Sequence, residues 1–329
     1  MGKQRLTYVD TAKYLALWLV VLSHTEIWET NLSRFLFTFH VPLFFVFSGY
    51  TTSINGGGKS LIKGKFQRII VPYLLYAFIL GVKPNSLDVV FRIFYGSIQS
   101  TATVTASHLW FLPCFFISVL MYGVIERANI KSKYNLRLIF VPVLIVLSFL
   151  TSKDRYGEIL PAGWFWGLNS AFTGCVLMYV GVVLRYCIKH FFLYVDNKWL
   201  KLLLSMGLVA FGVIITIPNL HNNVNIAYAS YGIYPLFYGT VFVMSAAVLI
   251  LAIVIDNSFS SIYGKYTLPI YAFHLLIMGV VNILLQKLGL TIYNVILQGC
   301  IVSVLTLFAT TLVVQPIQKY APNLVGEFK

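Results

Sequence analysis

Apolar runs of roughly 17 to 22 residues recur along this chain, and each is long enough to cross a hydrocarbon core about 30 Å thick. Lipid offers no partner to a bare peptide group, so such runs must be helical. Ten spans are predicted, at 9–27, 34–54, 67–82, 108–125, 137–151, 166–186, 200–217, 236–255, 267–286 and 294–315. Composition agrees. Hydrophobic residues are 59% of the 329 and charged residues 10%, where a soluble domain carries about 25% charged residues. The expected fold is all-α, a polytopic integral membrane helix bundle. The spans are evenly spread, without a linker or a repeat, so residues 1–329 read as one domain.

Lysine and arginine set the orientation, because basic residues concentrate in cytoplasmic segments. With the N-terminus in the cytoplasm, the outer segments hold only Arg34, Lys83, Arg92, Lys153, Arg155 and Lys287. The other 18 of the 24 basic residues fall inside. Both termini are therefore expected in the cytoplasm. The net charge of +14 is largely this bias. It suits anionic lipid headgroups and does not imply a nucleic acid partner.

Several other readings are set aside. The four cysteines show no paired spacing, so no disulfide framework and no metal site is expected. "GGGKS" at 56–60 resembles a phosphate-binding loop, but Ser53 stands where that loop needs glycine, and a membrane helix precedes it. The first span has a basic start, yet "SHTEIWET" follows it in place of a small-residue cleavage site, so no cleaved leader is expected.

The first span carries Asp10, Lys13 and His24. Eleven helical steps from Lys13 to His24 turn the chain by about 1100°, only about 20° off one face, over a rise of about 16 Å. Asp10 lies one turn before Lys13. Such a stripe is costly against lipid, so it faces the bundle interior or a water-filled cavity. Lys13 also suits snorkelling to the headgroups, and Asp10 suits a helix cap. His24 has an imidazole whose ordinary titration range suits general-base work.

Further segments join this one. They are "FTFHVPLFFVFSGY" at 37–50, "KGKFQRIIVPYLLY" at 63–76, "HLWFLPCFF" at 108–116 and "YTLPIYAFHLLI" at 266–277. Together with the first helix they resemble the membrane-bound acyltransferase family 3, whose members move acyl groups, commonly acetyl, onto carbohydrates and other acceptors. Lys13 and His24 match the family's basic residue, ten residues, then histidine. Phe44, Phe45, Ser48, Gly49 and Tyr50 match its second-helix pattern, and Arg68 with Pro72 its third. The chain departs where many members have Arg-Gly, since Lys13-Tyr14 stands there. Lysine is a point donor and lacks arginine's two-pronged phosphate contact.

The resemblance implies an integral membrane O-acyltransferase. An acetyl or other short acyl group would pass from cytosolic acyl-CoA to a hydroxyl of a cell-surface or lipid-linked carbohydrate. Lys13, Lys65 and Arg68, with Lys59 and Lys63 nearby, would hold the donor's phosphates. Asp10 would orient Lys13 or Arg68. His24 would act as base on the acceptor hydroxyl or carry the acyl group, and the sequence leaves both open. His40, His108, His274, Ser48 and Trp110 are expected at the acceptor, although Ser48-Gly49 also suits close helix packing and Trp110 an interfacial belt. Acyl-CoA is the expected donor, with no metal. The expected location is a bacterial plasma membrane. Two rivals stand beside this reading. One is a transporter or flippase using His24 and Lys13 as a relay. The other is a scaffold in a polysaccharide assembly.

Overall fold

The computed structural model describes residues 6–27, 30–52, 58–81, 87–101, 106–157, 159–160, 163–192, 194–256, 260 and 263–320. The side chain of Lys59 lies outside the described residues. The helices are α1 (Thr7–Ser23), α2 (Asn31–Phe39), α3 (Pro42–Thr51), α4 (Gly58–Lys65) and α5 (Val71–Gly81). Next come α6 (Leu87–Tyr95), α7 (Ile98–Thr101), α8 (Phe111–Lys131), α9 (Arg137–Leu150) and α10 (Lys153–Tyr156). The chain continues through α11 (Leu168–Cys187), α12 (Lys198–Thr216), α13 (Tyr234–Ile255), α14 (Thr267–Lys287) and α15 (Val295–Tyr320). Among the described residues there is no strand, only an isolated bridge between Asn225 and Ser230.

Seven helices among the described residues are long and apolar enough to cross a membrane, short of the ten expected. The differences have local causes. Helix α1 has 17 residues and stops at Ser23, which leaves His24 just past its end. Helix α9 has 14 residues. The third predicted span is broken: a π-helical turn, Phe66–Ile70, separates α4 from α5. Pro72 explains the break, because it supplies no N–H and its ring crowds the carbonyl four residues earlier, at Arg68. A wide turn relieves that clash, and Arg68 sits inside it.

The second span is jointed as well. Helix α2 ends at Phe39, α3 begins at Pro42, and His40 lies at the joint. The His40 Nδ1–H and its backbone N–H both donate to the Leu36 carbonyl, at 2.6 and 2.9 Å. Pro42 again has no N–H to continue the ladder.

Glycines set the closest helix contacts. A Cβ at Gly49 of α3 would stand 1.9 Å from the Met178 carbonyl oxygen of α11, and one at Gly181 would stand 2.0 Å from that of Val46. The Ser48-Gly49 pair thus permits backbone-to-backbone packing. At the far end of α1, a Cβ on Gly299 of α15 would meet Ile27 and Thr25, so the corner after His24 is seated on α15. Trp18 Nε1 donates to Ser303 Oγ at 3.1 Å along the same interface. By contrast, α12 turns Leu203, Met206, Phe211 and Ile214 outward, as a lipid-facing helix does.

Candidate functional site

The basic end of the bundle holds a cavity of about 310 Å³. Lys13 from α1, Lys65 from α4 and Arg68 from the π turn line it, with Ser48, Thr51 and Thr52 from the end of α3. Lys13 Nζ stands 3.3 Å from Asp10 Oδ1, and Asp10 is buried. Gly264 lies against the backbone of Asp10, where a Cβ would come within 1.9 Å of its carbonyl oxygen. Lys65 and Arg68 form no ion pair with any described residue. Burial first, then the neighbouring charges of Arg68 and Lys13, hold the Lys65 ammonium below the usual lysine range. Among the described residues, three cations therefore meet at one opening, and of these only Lys13 is ion-paired, with Asp10. That is a surplus of positive charge suited to a polyanion.

The rest of the lining is mostly apolar, with Val20, Val41, Phe44, Phe111, Leu112, Phe115 and Tyr271. Phe44 and Phe111 have ring centroids 5.9 Å apart, and Phe111 and Tyr271 5.6 Å. These three rings form a layer across the inner end.

The histidines lie beyond it. Tyr271 is 5.4 Å from His108 and 5.8 Å from His274, ring to ring. His274 is 5.4 Å from His24 and 5.2 Å from His108. The backbone fixes two of these rings. A carbonyl can only accept, so each ring nitrogen against one carries the proton. His274 Nδ1–H donates to the Tyr271 carbonyl at 2.6 Å, and His108 Nε2–H to that of Ala272 at 3.0 Å. Their other nitrogens, His274 Nε2 and His108 Nδ1, are buried with no hydrogen-bond partner among the described residues. Tyr271 Oη donates to the His108 carbonyl. His24 remains partly exposed, whereas His108 and His274 are buried.

The structure thus gathers Lys13, Lys65, Arg68 and Ser48 around one cavity, and His24, His108 and His274 into a cluster one aromatic layer away. Ser48 was expected at the acceptor and instead lines the basic cavity. His40 does not join the cluster directly: Phe37 stands between, 4.8 Å from His40 and 6.4 Å from His24. Trp110 is buried with its ring edge-on to Phe111 at 6.3 Å, away from a lipid-facing belt position.

Sequence reasoning missed Tyr271 and Phe111, which close the cavity. Their signal was only one aromatic among many. It also missed Asp256, whose carboxylate accepts from Thr7 and Thr11 at 2.5 and 2.6 Å and ties the start of α1 to the end of α13. Among the described residues no group of three or more His, Cys, Asp or Glu side chains is arranged to hold a metal ion.

The model of the acyltransferase-3 family, described as an acyltransferase domain, matches residues 6–315. The chain belongs to that family and is a multi-pass membrane acyltransferase. No curated protein matches it.

Proposed function

We propose that the protein transfers a short acyl group, acetyl in the first instance, from cytosolic acyl-CoA to a hydroxyl of a surface or lipid-linked carbohydrate. One observation carries this reading. Lys13, Lys65 and Arg68 ring a cavity whose inner end is one side chain from three clustered histidines. The cations suit the donor's phosphates, and the apolar inner wall suits its narrow pantetheine arm. The partial exposure of His24 supports an acceptor that arrives from the opposite side. His24 then acts at the reacting centre, and Asp10 holds Lys13 toward the donor. The 18-to-6 split of basic residues supports a cytoplasmic mouth and cytoplasmic termini, in a bacterial plasma membrane. The family match lends nothing to a transporter without chemistry.

Membrane vesicles of defined sidedness test the reading. Radiolabelled acetyl-CoA is given to inside-out and right-side-out vesicles from expressing cells, and label is counted in the extracted glycans. Labelling in inside-out vesicles alone is expected. No gene-dependent label in either kind contradicts it.

A further inference from the structure

Three candidates stand out beyond the cationic cavity: the tyrosine and serine hydroxyls between α9, α11 and α13, the outer turn around Asp154, and the unpartnered nitrogens of the histidine cluster. The third carries an inference. His274 Nε2 and His108 Nδ1 are both lone pairs, so neither can satisfy the other, although the rings are 5.2 Å apart. An unmatched buried acceptor is costly, and such groups in native proteins point to a role.

The two rings differ in what orients them. The Tyr271 carbonyl holds the Nδ1–H of His274 at 2.6 Å, one helical turn back along α14. A base or nucleophile whose second nitrogen is pinned in this way is the arrangement that activates imidazoles elsewhere. His274 also sits on the donor's side. It is wholly buried, and its ring lies 5.8 Å from that of Tyr271, which lines the cavity. His24, 5.4 Å away, is the partly exposed member.

We infer that His274 is a second catalytic residue, the one that carries the acyl group between donor and acceptor, while His24 serves the acceptor hydroxyl. This rests on the acyltransfer reading above. The atoms balance without a co-reactant. His274 Nε2 attacks the thioester carbonyl carbon, a C–N bond forms, the C–S bond breaks, and coenzyme A leaves as its thiolate. Nδ1–H stays on the Tyr271 carbonyl, so the carrier is a cationic acyl-imidazole. The acceptor oxygen then forms the C–O bond as the C–N bond breaks, which returns neutral His274. The hydroxyl proton passes to His24 and from there to the thiolate.

The test uses full-length protein in lipid nanodiscs with radiolabelled acetyl-CoA and no acceptor. His24→Asn removes the base for the second step, and His274→Asn keeps an N–H for the Tyr271 carbonyl while removing Nε2. Acetyl is expected on the peptide holding His274 in the His24→Asn protein after rapid quenching. The His274→Asn protein is expected to bind acetyl-CoA as wild type does, melt at the same temperature, and take no label. Three results overturn the inference. They are acetyl on the His24 peptide of the wild type, wild-type transfer by His274→Asn, or no acetyl on either peptide while His274→Asn is inactive. Failure of the wild-type protein itself to bind acetyl-CoA is a separate result and removes the acyltransfer reading with it.

Discussion

The ring of Tyr271 lies between the basic cavity and the imidazole of His274, 5.8 Å from that imidazole, and its hydroxyl is tied to the backbone of His108. On the proposed reading, a donor held by the cations meets Tyr271 and Phe111, which both line the cavity, before the histidines. The cations, the aromatic layer and the imidazoles are successive stations of one path, and each gives a prediction.

In the proposed reaction the cations act on donor binding. A hydrogen bond to a charged group contributes about 1.5–3 kcal/mol, so Lys13→Ala or Arg68→Ala should weaken acetyl-CoA binding by about 10- to 150-fold. Lys13→Arg should keep most of the affinity, since arginine stands at this position in many family members. Calorimetry on purified protein reads the change. Alanine variants that bind as tightly as wild type would move the phosphate site elsewhere.

Lys65 gives the binding a pH dependence. Its ammonium is held below the usual lysine range by burial, then by Arg68 and Lys13. Phosphates favour the charged form, so binding takes up a proton wherever Lys65 is neutral in the free protein. Affinity is therefore full at pH below the lowered value and falls as pH rises through it. That fall should begin earlier than an ordinary lysine would give. In Lys65→Arg the affinity should stay level across the same range, because arginine does not titrate there. Acetyl-CoA affinities between neutral and alkaline pH check this, and an identical decline in Lys65→Arg would exclude Lys65 as its source.

The aromatic layer should act as a seal. Phe111 packs on both Phe44 and Tyr271. Phe111→Ala should admit water along the donor path and raise acceptor-independent hydrolysis of acetyl-CoA severalfold. It should also lower the melting temperature, since truncating a buried phenylalanine costs about 3–5 kcal/mol. Free thiol release, measured without acceptor, reports the leak. An unchanged rate would mean that the seal lies elsewhere.

Gly49 tests the packing that holds Ser48 at the cavity. Its missing Cβ leaves room for the Met178 carbonyl oxygen, 1.9 Å from where that atom would stand. Overpacking costs about 1–3 kcal/mol, so Gly49→Ala should lower the melting temperature in detergent by several degrees. A neutral outcome would show that α3 and α11 can separate freely.

Much of this path was legible in the sequence, and the reason is periodicity. Residue count put Lys13 and His24 on one stripe facing the bundle interior; Lys13 lines the cavity, while α1 ends at Ser23 and His24 stands just beyond it. Arg68 and Lys65 shared a basic approach to a prolyl helix, and they do meet Lys13. What failed was information that one helix does not contain. No pattern within α14 says that Tyr271 will cross the end of a cavity built from α1, α3 and α8. Helix breaks were missed for a related reason. Apolar residues continue through the joint at His40 and the π turn at Arg68, so hydropathy runs unbroken where Pro42 and Pro72 interrupt the hydrogen bonds. Trp110 was expected at the acceptor, with an interfacial belt as the alternative, yet it is buried among neighbours that no local pattern reveals. The tautomers of His108 and His274 depend on individual backbone carbonyls and lie beyond any sequence pattern.

The central claim is that His24 serves acyl transfer from cytosolic acetyl-CoA to a surface glycan. The most direct test compares wild type with His24→Asn at equal membrane abundance, in inside-out vesicles given radiolabelled acetyl-CoA. General-base catalysis contributes about 10²- to 10⁴-fold, so glycan labelling should fall by at least about 100-fold in the variant while acetyl-CoA binding persists. Glycan labelling by His24→Asn at the wild-type rate would contradict the account.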